Sequence, residues 1–405
     1  MTVGTMRTIR ITGLAAGSLA AAALVQGAIA AQQSSRPAFT IETLKAPSVG
    51  DSASPQITVS GGKTLLSWLE RTGERTALKF AERLPAGWSA PVVVIASEHL
   101  VTNFADVPSV RALADGSLVA HWIEMNGPVP EAYDLKISTS RDNGKTWSAP
   151  ASPHKDGTRT QHGFASFFSV GTGLGLVWLD GRQTSGGKGD MTLRAATSIP
   201  VKNDKSDMLV ASRVCDCCPT AAANTSDGPI VAYRGRTADE IRDIYVTRLA
   251  GSAWSAPVLV HQDGWRINGC PVNGPAIAAR GRDVAVAWFT MQAGQGRAYI
   301  AFSSDAGRTF AAPVRVDDAG STGRLQVEWL ADGSAAVSWV ELGKGPSQLK
   351  VRTVSPSGAR TPPADIAVGL GTQFPRMGAA KGELVFAWTE NSRGITRIYT
   401  ARAKQ

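Results

Sequence analysis

The chain has 405 residues, a formal net charge of +9 from 42 Lys and Arg against 33 Asp and Glu, and only four cysteines. Its length is ample for a large core, and its cations are scattered rather than blocked. That pattern argues against a nucleic-acid interface and for solubility, with a mild attraction to anionic glycans or envelope surfaces.

In chain order, Arg7 and Arg10 precede an uncharged Ala-, Gly- and Leu-rich run that closes on Ala28-Ile29-Ala30. Residues 1–30 therefore read as a secretory signal peptide with an A-x-A cleavage site, and a periplasmic or secreted protein is expected. No second long apolar segment follows, so no membrane span is expected after cleavage. Residues 31–405 read as one domain, expected to be monomeric.

A hydrophobic dipeptide ending in Trp or Tyr recurs at Trp68, Trp122, Trp178, Tyr233, Trp288, Trp339 and Trp388, in steps of 49 to 56 residues. A period of this length signals stacked supersecondary units that cannot bury their apolar faces alone. Each period carries a short strand, a Gly turn such as Asp115-Gly116 or Asp332-Gly333, a buried strand, an alternating strand and a last β-branched strand entered through a proline, as in Trp88-Ser89-Ala90-Pro91. The reading is all-β: a seven-bladed β-propeller of four-stranded antiparallel blades near residues 53–97, 105–153, 160–214, 217–262, 272–316, 322–369 and 373–405. The seventh has only three strands of its own, and Phe39 to Leu44 is expected to supply the fourth, closing the ring at the chain ends.

Two turns between third and fourth strands read Ser140-Arg141-Asp142-Asn143-Gly144-Lys145-Thr146-Trp147 and Ser303-Ser304-Asp305-Ala306-Gly307-Arg308-Thr309-Phe310. They resemble the Asp box, or bacterial neuraminidase repeat, of sialidase-like propellers. The resemblance implies the fold and a structural role for Asp142, Gly144, Trp147, Asp305, Gly307 and Phe310, on the face away from the substrate. It also implies a glycoside hydrolase of exo-sialidase type if the protein is an enzyme. Sialidases, however, are usually six-bladed and use an F-R-I-P arginine, two further arginines and a Tyr nucleophile paired with Glu. The chain has Arg36-Pro37 but no F-R-I-P, and none of Tyr133, Tyr233, Tyr245, Tyr299 and Tyr399 matches the nucleophile.

The loops from second to third strand and from each blade to the next share the opposite face, around the channel mouth. There lie Cys215-Asp216-Cys217-Cys218-Pro219, Trp265-Arg266-Ile267-Asn268-Gly269-Cys270-Pro271 and Arg234 to Asp243. In an oxidising compartment the four cysteines most simply form two disulfides of undetermined connectivity, with Cys218 and Cys270 close together. The alternative is a soft-metal site for copper or zinc, with His162 as a further ligand. Two residues beyond the repeating aromatic stands an acid in five blades, Glu70, Glu124, Asp180, Glu341 and Glu390, which reads either as a ring of salt bridges or as acid/base chemistry. The candidate catalytic carboxylates are Asp180 and Glu240; Arg182, Arg236, Arg266 and Asn268 are the candidates for holding a glycan or other anionic ligand, Arg being the better carboxylate clamp. A noncatalytic metal-binding protein and a protein-binding scaffold are the competing readings.

Overall fold

Seven antiparallel sheets follow one another along the chain in the computed structural model, which describes residues 1–2, 38–199, 207–342, 345–369 and 375–405. Apart from Met1 and Thr2, the expected leader lies outside the described residues. Pro37–Gln405 forms one compact unit, a seven-bladed β-propeller.

The strands of blade one are Asp51–Ser60, Lys63–Thr72, Arg75–Leu84 and Val92–Ser97, and those of blade two are Ser109–Ala112, Leu118–Met125 and Tyr133–Ser140. Blade three has His162–Val170, Gly173–Asp180, Thr192–Ala196 and Asp207–Ala211, while blade four has Ala221–Thr225, Gly228–Arg234, Ile244–Ala250 and Val258–Leu259. Blade five has Ala276–Arg280, Asp283–Gln292, Gln295–Ser303 and Val314–Arg315, and blade six has Ser321–Trp329, Ala335–Glu341, Gln348–Val354 and Ala364–Val368. Blade seven has Arg376–Ala380, Glu383–Ser392 and Ile395–Lys404, completed by Thr40–Leu44, which pairs antiparallel from Thr40↔Lys404 to Leu44↔Thr400. The expected seam is therefore present. In blade two the fourth strand is cut to a single bridge between Ile137 and Ala151, because Pro150 and Pro153 remove the donors on either side.

The second strand of each blade is buried almost throughout, and five of its tryptophans, Trp68, Trp122, Trp178, Trp288 and Trp339, are among the largest fully buried side chains. A buried indole N–H needs an acceptor. The acid two residues on supplies it: Trp68 donates to Glu70 at 3.1 Å, Trp122 to Glu124 at 2.9 Å, Trp178 to Asp180 at 2.8 Å, Trp339 to Glu341 at 3.1 Å and Trp388 to Glu390 at 2.8 Å. In blade five that position is Thr290, and Trp288 turns instead to Asp263 of the preceding loop at 2.6 Å. Blade four has Tyr233 and no such acid; the ring stacks on Tyr245.

First strands carry a recurrent irregularity. Register slips between Ala53 and Gln56, between Gly163 and Ser166, and between Gly323 and Gln326, and the residues absorbed there, Ser54, Phe164 and Arg324, have φ of 53°, 54° and 61°. Such bulges re-aim a strand. In blade one the pairing resumes beyond the bulge, from Asp51↔Arg71 to Ala53↔Leu69, so that its first strand begins at Asp51.

The two S-x-D-x-G-x-T turns fold alike. Ser140 donates to Asp142 at 2.8 Å, Thr146 donates to it through its amide at 2.9 Å and its hydroxyl at 2.6 Å, and the Gly144 amide returns to Ser140 at 2.8 Å. Asp305 is bound in the same way by Ser303 and Thr309. Gly144 is required twice over: its φ is +85°, and a Cβ there would stand 2.7 Å from the Phe80 ring of the preceding blade. Trp147 meets that ring edge-on, so the turn staples adjacent blades.

Gly144→Ala is expected to lower the stability of the propeller by more than about 1 kcal/mol, since the backbone conformation and the contact both oppose it. Asp142→Ala is expected to lower the unfolding midpoint as well, and because the turn donors hold the Asp142 carboxyl down to about 2, its contribution is present above the ordinary carboxylate range and fades as pH falls through that value. Urea unfolding of each variant across the acid range checks both.

Candidate functional site

The first strands of all seven blades line a central cavity of about 550 Å³. Its polar wall is made by Gln56, Thr58, Ser109, Arg111, Ser166, Thr220, Gln326, Glu328 and Arg376, with Arg280 also on the lining. Glu328 is the only carboxylate among the described lining residues, and burial pushes it up to about 8, against the Ala379 amide. Arg376 is buried and pushed down to about 10, by burial first and then by the neighbouring guanidinium of Arg324. Arg324, on the bulge that opens blade six, is lowered to about 10 by burial, with the nearby Cys218 opposing. Arg111 is lowered by burial too, and buried His121 falls to about 4. At neutral pH the arginines remain cationic while Glu328 and His121 are neutral, leaving the cavity positively charged.

None of these channel residues was among the sequence candidates. A signal was present: proline stands at the entry to the first strand in five blades, as Pro55, Pro108, Pro219, Pro275 and Pro375, and the residue after it, Gln56, Ser109, Thr220, Ala276 or Arg376, lines the cavity. Arg376 is the charged exception in that series.

The structure sorts the sequence candidates into two ionic networks. In the first, fully buried Asp180 accepts the Trp178 indole and takes Arg182 Nε and Nη2, each at 2.7 Å. Arg182 also meets Asp207 at 2.5 Å and Asp156 at 3.5 Å. His162 does not join the cysteines; its Nε2 lies 3.1 Å from Asp156 and 3.8 Å from Asp180, its Nδ1 faces the Thr160 carbonyl at 3.1 Å, and its ring stacks on His154. Both hydrogen-bonding partners of His162 only accept, so both nitrogens carry protons and the ring is an imidazolium. Burial works against that charge, but Asp156, Asp180 and Asp134 raise the His162 pKa nonetheless. His154 and Asp156 were missed because they sit in the loop where the fourth strand of blade two was expected to end.

In the second network Arg236 grips Glu240 at 2.8 Å and Asp216 at 3.2 Å, while Arg242 reaches Glu240 at 2.8 Å. These guanidinium bonds hold Glu240 at about 2. Asp180 is also held below its ordinary value: burial opposes this, but Arg182, His162 and Trp178 outweigh it. Neither carboxyl thus carries a proton to donate at neutral pH, and Arg182 and Arg236 are already occupied by carboxylates. Arg266 and Asn268 are exposed on the loop that enters blade five, which is pinned to the Glu240 loop by the Ile267 amide. Gln161 links the two networks, donating to the Asp216 carbonyl and accepting from the Gly181 amide.

The cysteines form one disulfide, not two, and the expected neighbours are not the bonded pair: Cys217 bonds Cys270, and Cys215 and Cys218 are buried free thiols. Alternation along the chain accounts for the choice. Cys218, just before Pro219, turns inward to the Asn273 amide, and Cys217 turns outward to the blade-five loop. The set that would suit copper or zinc is thereby reduced to two thiols. Burial opposes ionisation of Cys215, but its bonds from Cys218 and the Cys217 amide, with Arg234 and Arg242 nearby, lower it to about 7.

No protein-family model and no curated protein matches the sequence. Solved structures do: puromycin hydrolase is 12% identical with a TM-score of 0.54 over 87% of this chain and 52% of that one, so the chain spans about half of its length. The polysaccharide lyase Uly1 is 11% identical with a TM-score of 0.50 over 87% and 90%. The phage phi92 endosialidase is 10% identical with a TM-score of 0.48 over 91% and 69%. At these identities the likeness is one of fold.

With its folded pKa raised above 6.5, the His162 imidazolium contributes stability that is fully present below that value and is lost as pH rises through the folded pKa. The difference in urea midpoint between the wild type and His162→Gln is therefore expected to be largest in acid and to shrink as pH rises above about 6.5.

Proposed function

We propose that the protein binds a carboxylate-bearing sugar, free or as the end of an acidic glycan, at the mouth of its channel. One observation carries this reading: Arg324 and Arg376 stand on adjacent blades, with the Arg324 guanidinium near enough to add to the lowering of Arg376 by burial, beside a cavity whose one carboxylate among the described lining residues, Glu328, is pushed up to about 8 by burial. A carboxylate entering this positive field is attracted by both guanidinium groups, whatever else they bind. Guanidinium forks match a carboxylate through paired hydrogen bonds, and shielding from bulk water strengthens them. The cavity volume lies in the usual range for small-ligand sites, and Gln56, Ser109, Ser166, Thr220 and Gln326 offer partners for sugar hydroxyls.

The export expected from the leader fits a role on extracellular or envelope glycans and belongs with this proposal. Hydrolysis is not part of it. Asp180 and Glu240 are engaged by arginines, and no tyrosine is placed as a nucleophile by the motifs of the sequence.

Calorimetric titration with sialyllactose, with a uronic-acid disaccharide and with their neutral counterparts tests the reading. Binding of an acidic but not the neutral sugar is expected, weakening as salt is raised, and Arg376→Ala is expected to weaken it at least about tenfold, or about 1.4 kcal/mol. Equal affinity for acidic and neutral sugars, no binding to either acid, or unchanged affinity in a folded Arg376→Ala protein overturns it.

A further inference from the structure

The sulfurs of Cys215, Cys217 and Cys218 all lie within 4.8 Å of one another. Cys217 is already bonded to Cys270. Two buried thiols thus stand within 4.8 Å of the inner half of a disulfide whose outer half, Cys270, is exposed. Nothing in a purely structural clasp calls for a dithiol at that distance from its sulfur.

The surroundings favour a thiolate at the inner position. Arg234 is 1% exposed, and its guanidinium hydrogen-bonds only carbonyl oxygens: Asn273 and Phe289 at 2.7 Å each, and Arg242. Its face lies over the Trp265 ring. Asp243 and Cys215 both lie in the field of this cation, and the Cys215 backbone is tied to it, its amide donating to the Arg234 carbonyl at 3.0 Å.

We propose that the four cysteines form a thiol–disulfide exchange centre, in which the Cys215 thiolate attacks the Cys217 sulfur, a Cys215–Cys217 bond forms as the Cys217–Cys270 bond breaks, and Cys270 leaves as an exposed thiolate. One disulfide is present before and after, so no oxidant or reductant is consumed, and the proton lost from Cys215 is matched by one that Cys270 takes from water. Cys218 is a positioning residue, its thiol hydrogen-bonded to Cys215. The released Cys270 thiolate would attack a disulfide of a second molecule, and that bond class is the substrate.

The probe is dithiobis-nitrobenzoate, an aromatic disulfide that releases a coloured thiolate. Folded wild-type protein is treated with it and quenched with acid, and the linkages are mapped by peptide mass spectrometry. The expected product carries the aromatic thiol on Cys270 with Cys215 joined to Cys217, and Cys215→Ser, checked for folding by its melting curve, is expected to slow Cys270 labelling at least about tenfold. Labelling on Cys215 or Cys218 instead, no reaction of the folded wild type, or unchanged Cys270 labelling in Cys215→Ser overturns the proposal. Sugar binding is not read by this experiment, so the two proposals stand or fall apart.

Discussion

An indole buried between two sheets must hand its N–H to an acceptor, and in this propeller that requirement sets where the acids go. Five blades meet it with a carboxylate two residues further along the same strand, and a sixth borrows Asp263. Three of these acids in turn attract cations: Lys79 at Glu70, Arg182 at Asp180 and Lys350 near Glu341. The rim of acids and bases is thus largely a consequence of holding seven sheets around large aromatic side chains. A reading that takes every acid near a channel mouth as catalytic mistakes a packing device for chemistry.

What remains once the packing devices are removed is the centre of the ring. First strands face one another there, and the identity of one residue per blade decides the local field. Polar uncharged residues occupy most of those places, while Arg111, Arg376 and the adjoining Arg324 give it a sign. The asymmetry is large because burial keeps Glu328 neutral while the guanidinium groups keep their protons. Charge selection follows from differential solvation rather than from a count of residues.

The fold was legible because it is periodic. A tryptophan or tyrosine every 49 to 56 residues gave the seven blades, and the alternation of Phe39 to Leu44 gave the seam. Blade two's lost strand was legible in principle, in the prolines flanking Ala151. The site was much less so, since function in a repeat fold lies in departures from the repeat. Arg376 departs by one charge at a phase where other blades carry Gln, Ser, Thr or Ala, and Arg324 sits on a bulge that no residue pattern announced. The segments holding Arg182, Arg236 and Glu240 stood out because they are rich in charge. Their charges turned out to satisfy one another, which composition does not reveal. The cysteine segments were found, but which sulfur faces which depends on the side-chain direction set by a proline.

The sheet that unites the two chain ends has a temporal meaning. Thr40–Leu44 is among the first segments of the described fold to be synthesised, and its partner Ile395–Lys404 is the last. Until the final residues are available the ring stays open, with an unpaired edge on blade seven and the apolar side of blade one uncovered. The ring therefore closes only once both of these strands exist, and a fold lacking either would be left as an open arc.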